Sequence, residues 1–198
     1  MKDLPEFQPK SRKAWRTWLQ KHHTSSSGIW LVYAKKHTGI PTLSYDESVE
    51  EALCFGWIDS LRHPVDDKLW RMVFTPRKPK SAWSGPNRLR VAAMIKAGQM
   101  TEAGMKMVTL AKKTGTWDAL QHVEQLQTPA DLQKAINANP TAKKHWPTYA
   151  PGLKKIFFYR LNSAKREETR TRRITAIVDI IARNLTLRDL REGKAVLP

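Results

Sequence analysis

The sequence predicts an α+β fold, a small antiparallel sheet packed by helices with a predominantly helical C-terminal half, and three observations carry the prediction. The β-favouring runs Ile29–Ala34, Trp57–Arg62 and Leu69–Phe74 all precede Thr75. From Ser84 onward the punctuation is that of helices, with capping residues or Pro at the starts and Gly at the stops. The segment from Ser163 to Leu185 sets Ile174, Ile177, Val178, Ile181 and Leu185 on one helical face and charged residues elsewhere.

Each element has its own local reason. Ser11 is placed to cap a first helix whose Ala14, Trp15, Trp18 and Leu19 fall together at helical spacing. The polar run His22 to Gly28 reads as a loop, and Ile29–Ala34 as a buried strand that ends at Lys35 to Gly39. Ser44 and Glu47 have the S-x-x-E spacing in which hydroxyl and carboxylate satisfy each other's backbone amides at a helix start. Val49, Ala52, Leu53 and Gly56 mark the packed face of that helix, and Gly56 ends it. Trp57–Arg62 then turns at Pro64–Asp67 into Leu69–Phe74, where Trp70, Met72 and Phe74 point one way and Leu69, Arg71 and Val73 the other. Helices follow from Ser84 to Ala97 and from Thr101 to Thr114, stopped by Gly98 and Gly115, and two more are expected to start at Thr128-Pro129 and Asn139-Pro140. The expected organisation is a core over 1–116, a helical C-terminal subdomain packed on it over 117–185, and a tail over 186–198.

Composition narrows the function classes. A chain of 198 residues with 40% hydrophobic and 27% charged residues has the make-up of a globular protein, and no apolar run reaches the length of a membrane span. The stretch from Met1 to Lys10 shows neither an apolar segment nor a small-residue cleavage site, so the cytoplasm is the expected compartment. A single cysteine, Cys54, rules out an internal disulfide and a cysteine-rich zinc site. The six histidines are scattered without metal-ligand spacing, and no Gly-rich phosphate loop occurs, so neither a metal nor another cofactor is expected. The formal charge of +17 favours anionic partners, whether small anions, nucleic acid or acidic surfaces, without choosing among them.

Two blocks stand out: Glu51 to Ser60, where Cys, Gly and Trp flank Asp59, and Phe74 to Asn87, where cations, hydroxyls and Trp crowd together. With the run from Ala164 to Ile174, they resemble, in this order, the YdeI or OmpD-associated (bacteriocin-protection) family. The resemblance implies a role in stress resistance or in protection against antimicrobial peptides and bacteriocins, with an envelope or porin partner, and it implies no established reaction.

The chemistry is read from the residues. Arg77, Lys78 and Lys80 precede Ser84, so if Ser84 caps the next helix, the helix amides and its positive end face the same region as the cations, which is a recipe for an anion site. Ser81, Ser84 and Asn87 add neutral donors, Trp83 offers a stacking surface for a planar ligand or a guanidinium, and Trp57 a second apolar wall. Against this stands a basic, solvated loop whose Ser merely caps a helix. Asp59 needs a partner if it faces inward; Arg77 is the candidate, and the pair is either architectural or the acid/base group of an enzyme acting on a small anionic substrate. In the family reading Arg170 and Arg173 also approach this site. Cys54, among Ala52, Leu53 and Phe55, reads as a small buried hydrophobe. Three function classes follow: a protection protein with an anion-binding site, an enzyme using Asp59, and a nucleic-acid binder using the basic surface. Oligomeric state is not legible.

Overall fold

The short strand β1 (Glu6–Phe7) is followed by α1 (Arg12–His22), β2 (Ile29–Ala34), α2 (Tyr45–Cys54), β3 (Trp57–Pro64), β4 (Leu69–Pro76), α3 (Gly85–Lys96) and α4 (Glu102–Thr114). These belong to the first of two compact units, which divide between Ala119 and Leu120 in a computed structural model describing residues 4–196. The readings of residues 1–3 and of the last two residues of the tail lie outside the described residues.

The sheet order is β1-β2-β4-β3, with β2, β4 and β3 antiparallel and β1 parallel to β2. The fold is α+β with a mixed sheet. The three strands read from the sequence form its antiparallel part, while β1, two residues long, carries too little pattern to announce itself. All six residues of β2 are buried, which is why it reads as an unbroken apolar run. Ile29 stands opposite Phe74, Leu31 opposite Met72 and Tyr33 opposite Trp70, so these six side chains share the face that packs against α1 and α2.

α1 begins with the Ser11 hydroxyl accepting from the Ala14 amide, and α2 with the reciprocal Ser44 and Glu47 pairing. The two helices are tied by charge. Glu51 is 2% exposed, and its two oxygens accept from Arg12 Nε at 2.6 Å and Arg16 Nη1 at 2.7 Å. α4 presses against the end of α2: the Cys54 carbonyl accepts from both the amide and the hydroxyl of Thr101, and a Cβ on Gly104 would stand 2.3 Å from that oxygen. Gly104 is therefore the condition for the close approach, and Gly56, at φ +72°, supplies the left-handed turn from α2 into β3.

The second unit contains α5 (Gln121–Glu124), α6 (Ala130–Asn137), α7 (Pro140–His145), α8 (Pro151–Asn162), α9 (Glu167–Ala182) and α10 (Leu187–Arg191). Its core gathers Leu132, Ile136, Phe157, Phe158, Ile177 and Ile181. Asn139 caps α7 as its spacing predicts, whereas at α6 Pro129 takes the cap position and no side chain caps the start. The long helix expected from Ser163 is shorter. Ser163 instead ends α8, donating to the Arg160 carbonyl, while Arg173 bonds that carbonyl and the Ser163 hydroxyl; Asn184, at φ +51°, stops the chain beyond α9. Residues 187–191, within the stretch read as tail, form α10, which starts with a Thr186 and Asp189 capping box.

The buried carboxylate gives an asymmetric prediction. Replacing both Arg12 and Arg16 by Ala leaves Glu51 as an unpaired buried ion and is expected to cost about 3–5 kcal/mol, and adding Glu51→Leu is expected to recover part of that loss. Urea unfolding followed by tryptophan fluorescence checks it, since seven of the eight tryptophans lie in the first unit.

Candidate functional site

The 77–87 loop is organised around Arg77, and from the inside. Arg77 is 6% exposed, its guanidinium lies 3.8 Å from the centre of the Trp83 ring, and its Nη2 donates to the Ala82 carbonyl at 2.6 Å and to that of Ser81 at 3.4 Å. Burial pulls its pKa down to about 10, against the charge of Asp59, which acts in the opposite sense. A guanidinium stacked on an indole and bonded to two carbonyls of its own turn is a clasp for that turn. Trp83 is itself core, 2% exposed and tilted against Trp117 at 5.0 Å. Trp57 is 1% exposed and donates its indole N–H to the His23 carbonyl. Ser84 takes the cap position of α3, but its side chain makes no capping bond; Pro86 has no N–H, and the Arg88 amide bonds Ser84. Asn87 Oδ1 accepts from Arg90. Lys80 is exposed, while Lys78 and Ser81 border a shallow hollow of about 620 Å³ with Ser27, Ser60 and Thr75.

Asp59 does not form its hydrogen bond with Arg77. Its Oδ2 accepts from the hydroxyl of Tyr45 at 2.9 Å, at the first turn of α2. Burial, followed by the neighbouring Asp59, pushes the Tyr45 phenol up to about 12, so Tyr45 stays protonated and is the donor of the pair. A bulge then decides what stands beside them. Asp59 pairs with Phe74 and Arg62 with Met72, three steps along β3 for two along β4. Without the extra residue, Asp59 and Arg62 would point to opposite faces; with it, both stand on the face of Phe74, Met72 and Trp70.

That face carries an open pocket of about 500 Å³ that the sequence did not reveal. Its aromatic wall follows the strand order: Tyr33 on β2 stacks on Trp70 of β4 at 4.0 Å and 7°, and the Arg62 guanidinium of β3 lies 4.3 Å from the Trp70 ring. Lys35 and Lys36 bring two further cations, and Tyr45 and Glu47 line the pocket from α2. Lys35 Nζ donates to the Asp66 carbonyl, whereas among the described residues Arg62 forms no ion pair or side-chain hydrogen bond. Arg62 is thus an exposed guanidinium oriented by stacking, with its N–H edge unengaged. The one signal available in the sequence was alternation: Tyr33 and Trp70 fall on the inward parity of strands already recognised.

Arg170 and Arg173 have their bonding partners inside the second unit. Arg170 makes a two-toothed pair with Asp131, at 2.5 and 3.0 Å, and donates to the Leu161 carbonyl; Arg173 closes the end of α8. Among the described residues no group of His, Cys, Asp and Glu is arranged to hold a metal, and no helix is long and apolar enough to cross a membrane.

A four-stranded α+β unit and, after it in the chain, an all-helical unit define the class of protein. Residues 7–107, just over half of the chain, match the family model described as a domain of unknown function, DUF8412, and the chain belongs to that family. Residues 125–184 match the model described as bacteriocin-protection, YdeI or OmpD-associated, which supports the resemblance over that part of the chain. Of the three blocks that suggested it, only Ala164 to Ile174 lies within this match; the two Trp-containing blocks lie in the stretch that matches the other model. No curated protein and no solved structure matches the chain.

Two outcomes follow from this geometry. Arg77→Ala removes charge-assisted bonds and a ring contact and is expected to destabilise the first unit by about 2–4 kcal/mol in urea titration, an effect on folding whether or not a ligand is present. Burial, followed by the charge of Glu51, pushes the Cys54 thiol up to about 11, so the native protein at pH 8 holds almost no thiolate there. Cys54 should therefore resist a thiol reagent until urea exposes it.

Proposed function

We propose that the protein binds a small anionic ligand with a flat apolar body in the pocket framed by Tyr33, Trp70 and Arg62, and that capture of this ligand is its contribution to a stress- or bacteriocin-protection role. The carrying observation is Arg62, held by stacking on Trp70 with its donor edge unengaged, beside Lys35 and Lys36. A guanidinium so placed has already lost much of its rotamer freedom, so a carboxylate or phosphate gains paired bonds at reduced entropic cost. The part-exposed Trp70, backed by the buried Tyr33 and Leu43, gives the pocket the apolar surface against which a small flat ligand packs.

Net charge constrains how protection works in this reading. A chain of +17 repels cationic peptides, so direct sequestration of such a peptide is disfavoured and an anionic ligand is the natural target. Asp59 acts as a positioning residue, fixing the Tyr45 hydroxyl at the pocket edge.

The test is a thermal-shift titration of the full chain with benzoate, indole-3-propionate and inorganic phosphate. At about 100 times Kd, mass action adds about 2.7 kcal/mol, a rise on the order of 10 °C for a unit of this size. The ring-bearing anions should shift the melting more than phosphate does, and Arg62→Ala should raise their Kd about 10–100-fold while lowering the ligand-free melting by no more than a few degrees, the loss of its stacking on Trp70. Shifts that survive in Arg62→Ala, or no shift with any of the three, would overturn the proposal.

A further inference from the structure

Groups of both polarities line the pocket, and they come from different elements. The cations Lys35, Lys36 and Arg62 lie at the end of β2, just beyond it, and on β3, whereas Tyr45 and Glu47 come from the first turn of α2. What each α2 group can offer is set by its existing bonds. Tyr45 has one hydroxyl hydrogen and donates it to Asp59, so its oxygen is left with lone pairs only. Glu47 Oε2 accepts from both the amide and the hydroxyl of Ser44, while among the described residues its Oε1 has no hydrogen-bond partner. Those Ser44 bonds hold the Glu47 carboxyl below its usual range, so it is ionised at neutral pH. The α2 residues therefore bring acceptors to the pocket, Glu47 with its charge and Tyr45 bonded to Asp59, while the cations come from the end of β2 and from β3.

A ligand with only negative charge would satisfy the cations and turn its remaining edge toward acceptors that can give it no hydrogen bond. A ligand with an amine beside its anionic group would satisfy both the cations and the acceptors. We infer that the ligand of this pocket is a zwitterion, an amine and a carboxylate on a flat apolar body, recognised by Arg62 and Lys36 at its anionic end and by Glu47 and the Tyr45 oxygen at its amine. This rests on the anion-binding reading given above and specifies the class of ligand.

Three probes with one indole body separate the ends: tryptophan with both groups, indole-3-propionate with the carboxylate alone, and tryptamine with the amine alone. Calorimetric titration of the full chain should give tryptophan a Kd at least about tenfold below that of indole-3-propionate, with tryptamine weakest, as one additional charge-assisted hydrogen bond predicts. Glu47→Gln is the decisive variant, because Gln keeps the reach of the capping residue and removes the charge. It should bring the ratio of the tryptophan and indole-3-propionate affinities close to unity, with the affinity for indole-3-propionate equal or improved. Indole-3-propionate binding as tightly as tryptophan would overturn the zwitterion and leave the anion reading standing, as would a ratio unchanged in Glu47→Gln. Binding of none of the three probes overturns the zwitterion; the anion reading then stands or falls by benzoate and phosphate on Arg62→Ala.

Discussion

Glu51 puts an ion where the first unit would otherwise place a hydrophobe, and the packing of that unit is arranged around the consequence. A carboxylate 2% exposed is tolerable only when its oxygens are fully engaged, and Arg12 and Arg16 engage one each. Both arginines come from α1, four residues apart on one face, and Glu51 from the second half of α2, so the charge contact ties the two helices together. Arg12 also reaches Glu50, and Arg16 reaches the Gln99 carbonyl beyond α3, which extends the same contact to the start of α4. With α2 fixed in this way, its first turn overhangs the sheet where Tyr45 meets Asp59, and its last turn presents the Cys54 carbonyl to Thr101 and the space above Gly104. The buried charge thus adds a directional contact to the apolar packing of Val49, Ala52 and Leu53 that seats α2, and the pocket is built on the helix so placed.

The legible part of the fold is the part governed by local chemistry. Ser11, Ser44, Thr101 and Asn139 each accept the amide bond their spacing implies, because a cap needs only its own neighbours. The inward parity of Trp70, Met72 and Phe74 is likewise local, being the pleat of one strand. Illegible features depend on distant residues. β1 exists because β2 offers it an edge, and α8 is closed at its end by Arg173, which reaches back from α9. The helix α8, with Leu153, Phe157, Phe158 and Leu161 buried, is hard to read in the sequence because its buried positions lie among Lys154, Lys155 and Arg160 without a capping side chain before them.

The candidate site divides along the same line. The 77–87 block was conspicuous because Arg, Trp, Ser and Asn crowd there, yet residue types that bind an anion also bind their own backbone, and the sequence does not distinguish the two. Arg77 is the case in point: its nearest acceptors are the carbonyls of Ser81 and Ala82, supplied by the tight turn itself, and Trp83 is the nearest ring. Asp59, an acid among apolar neighbours in β3, needs a partner and has one, but the partner is the hydroxyl of Tyr45, fourteen residues earlier and on another element. Arg62 could not be placed at all, because its face is decided by the extra residue between Asp59 and Arg62, and a bulge shows only in the pairing with β4.

In a chain with 35 Lys and Arg, cation density carries little information about any one place. The positive excess is spread over both units, twenty basic against eleven acidic residues in 1–119 and fifteen against seven in 120–198, so neither is singled out by charge. What does discriminate is the state of each cation. Arg12, Arg16, Arg88 and Arg90 are neutralised by carboxylates, Arg77 and Arg173 are occupied by carbonyls, and Arg170 by both. Arg62 differs from all of these in being oriented without being neutralised. An oriented, unneutralised guanidinium has lost conformational freedom and gained no partner for its N–H groups; an incoming anion is what turns that arrangement into a net gain.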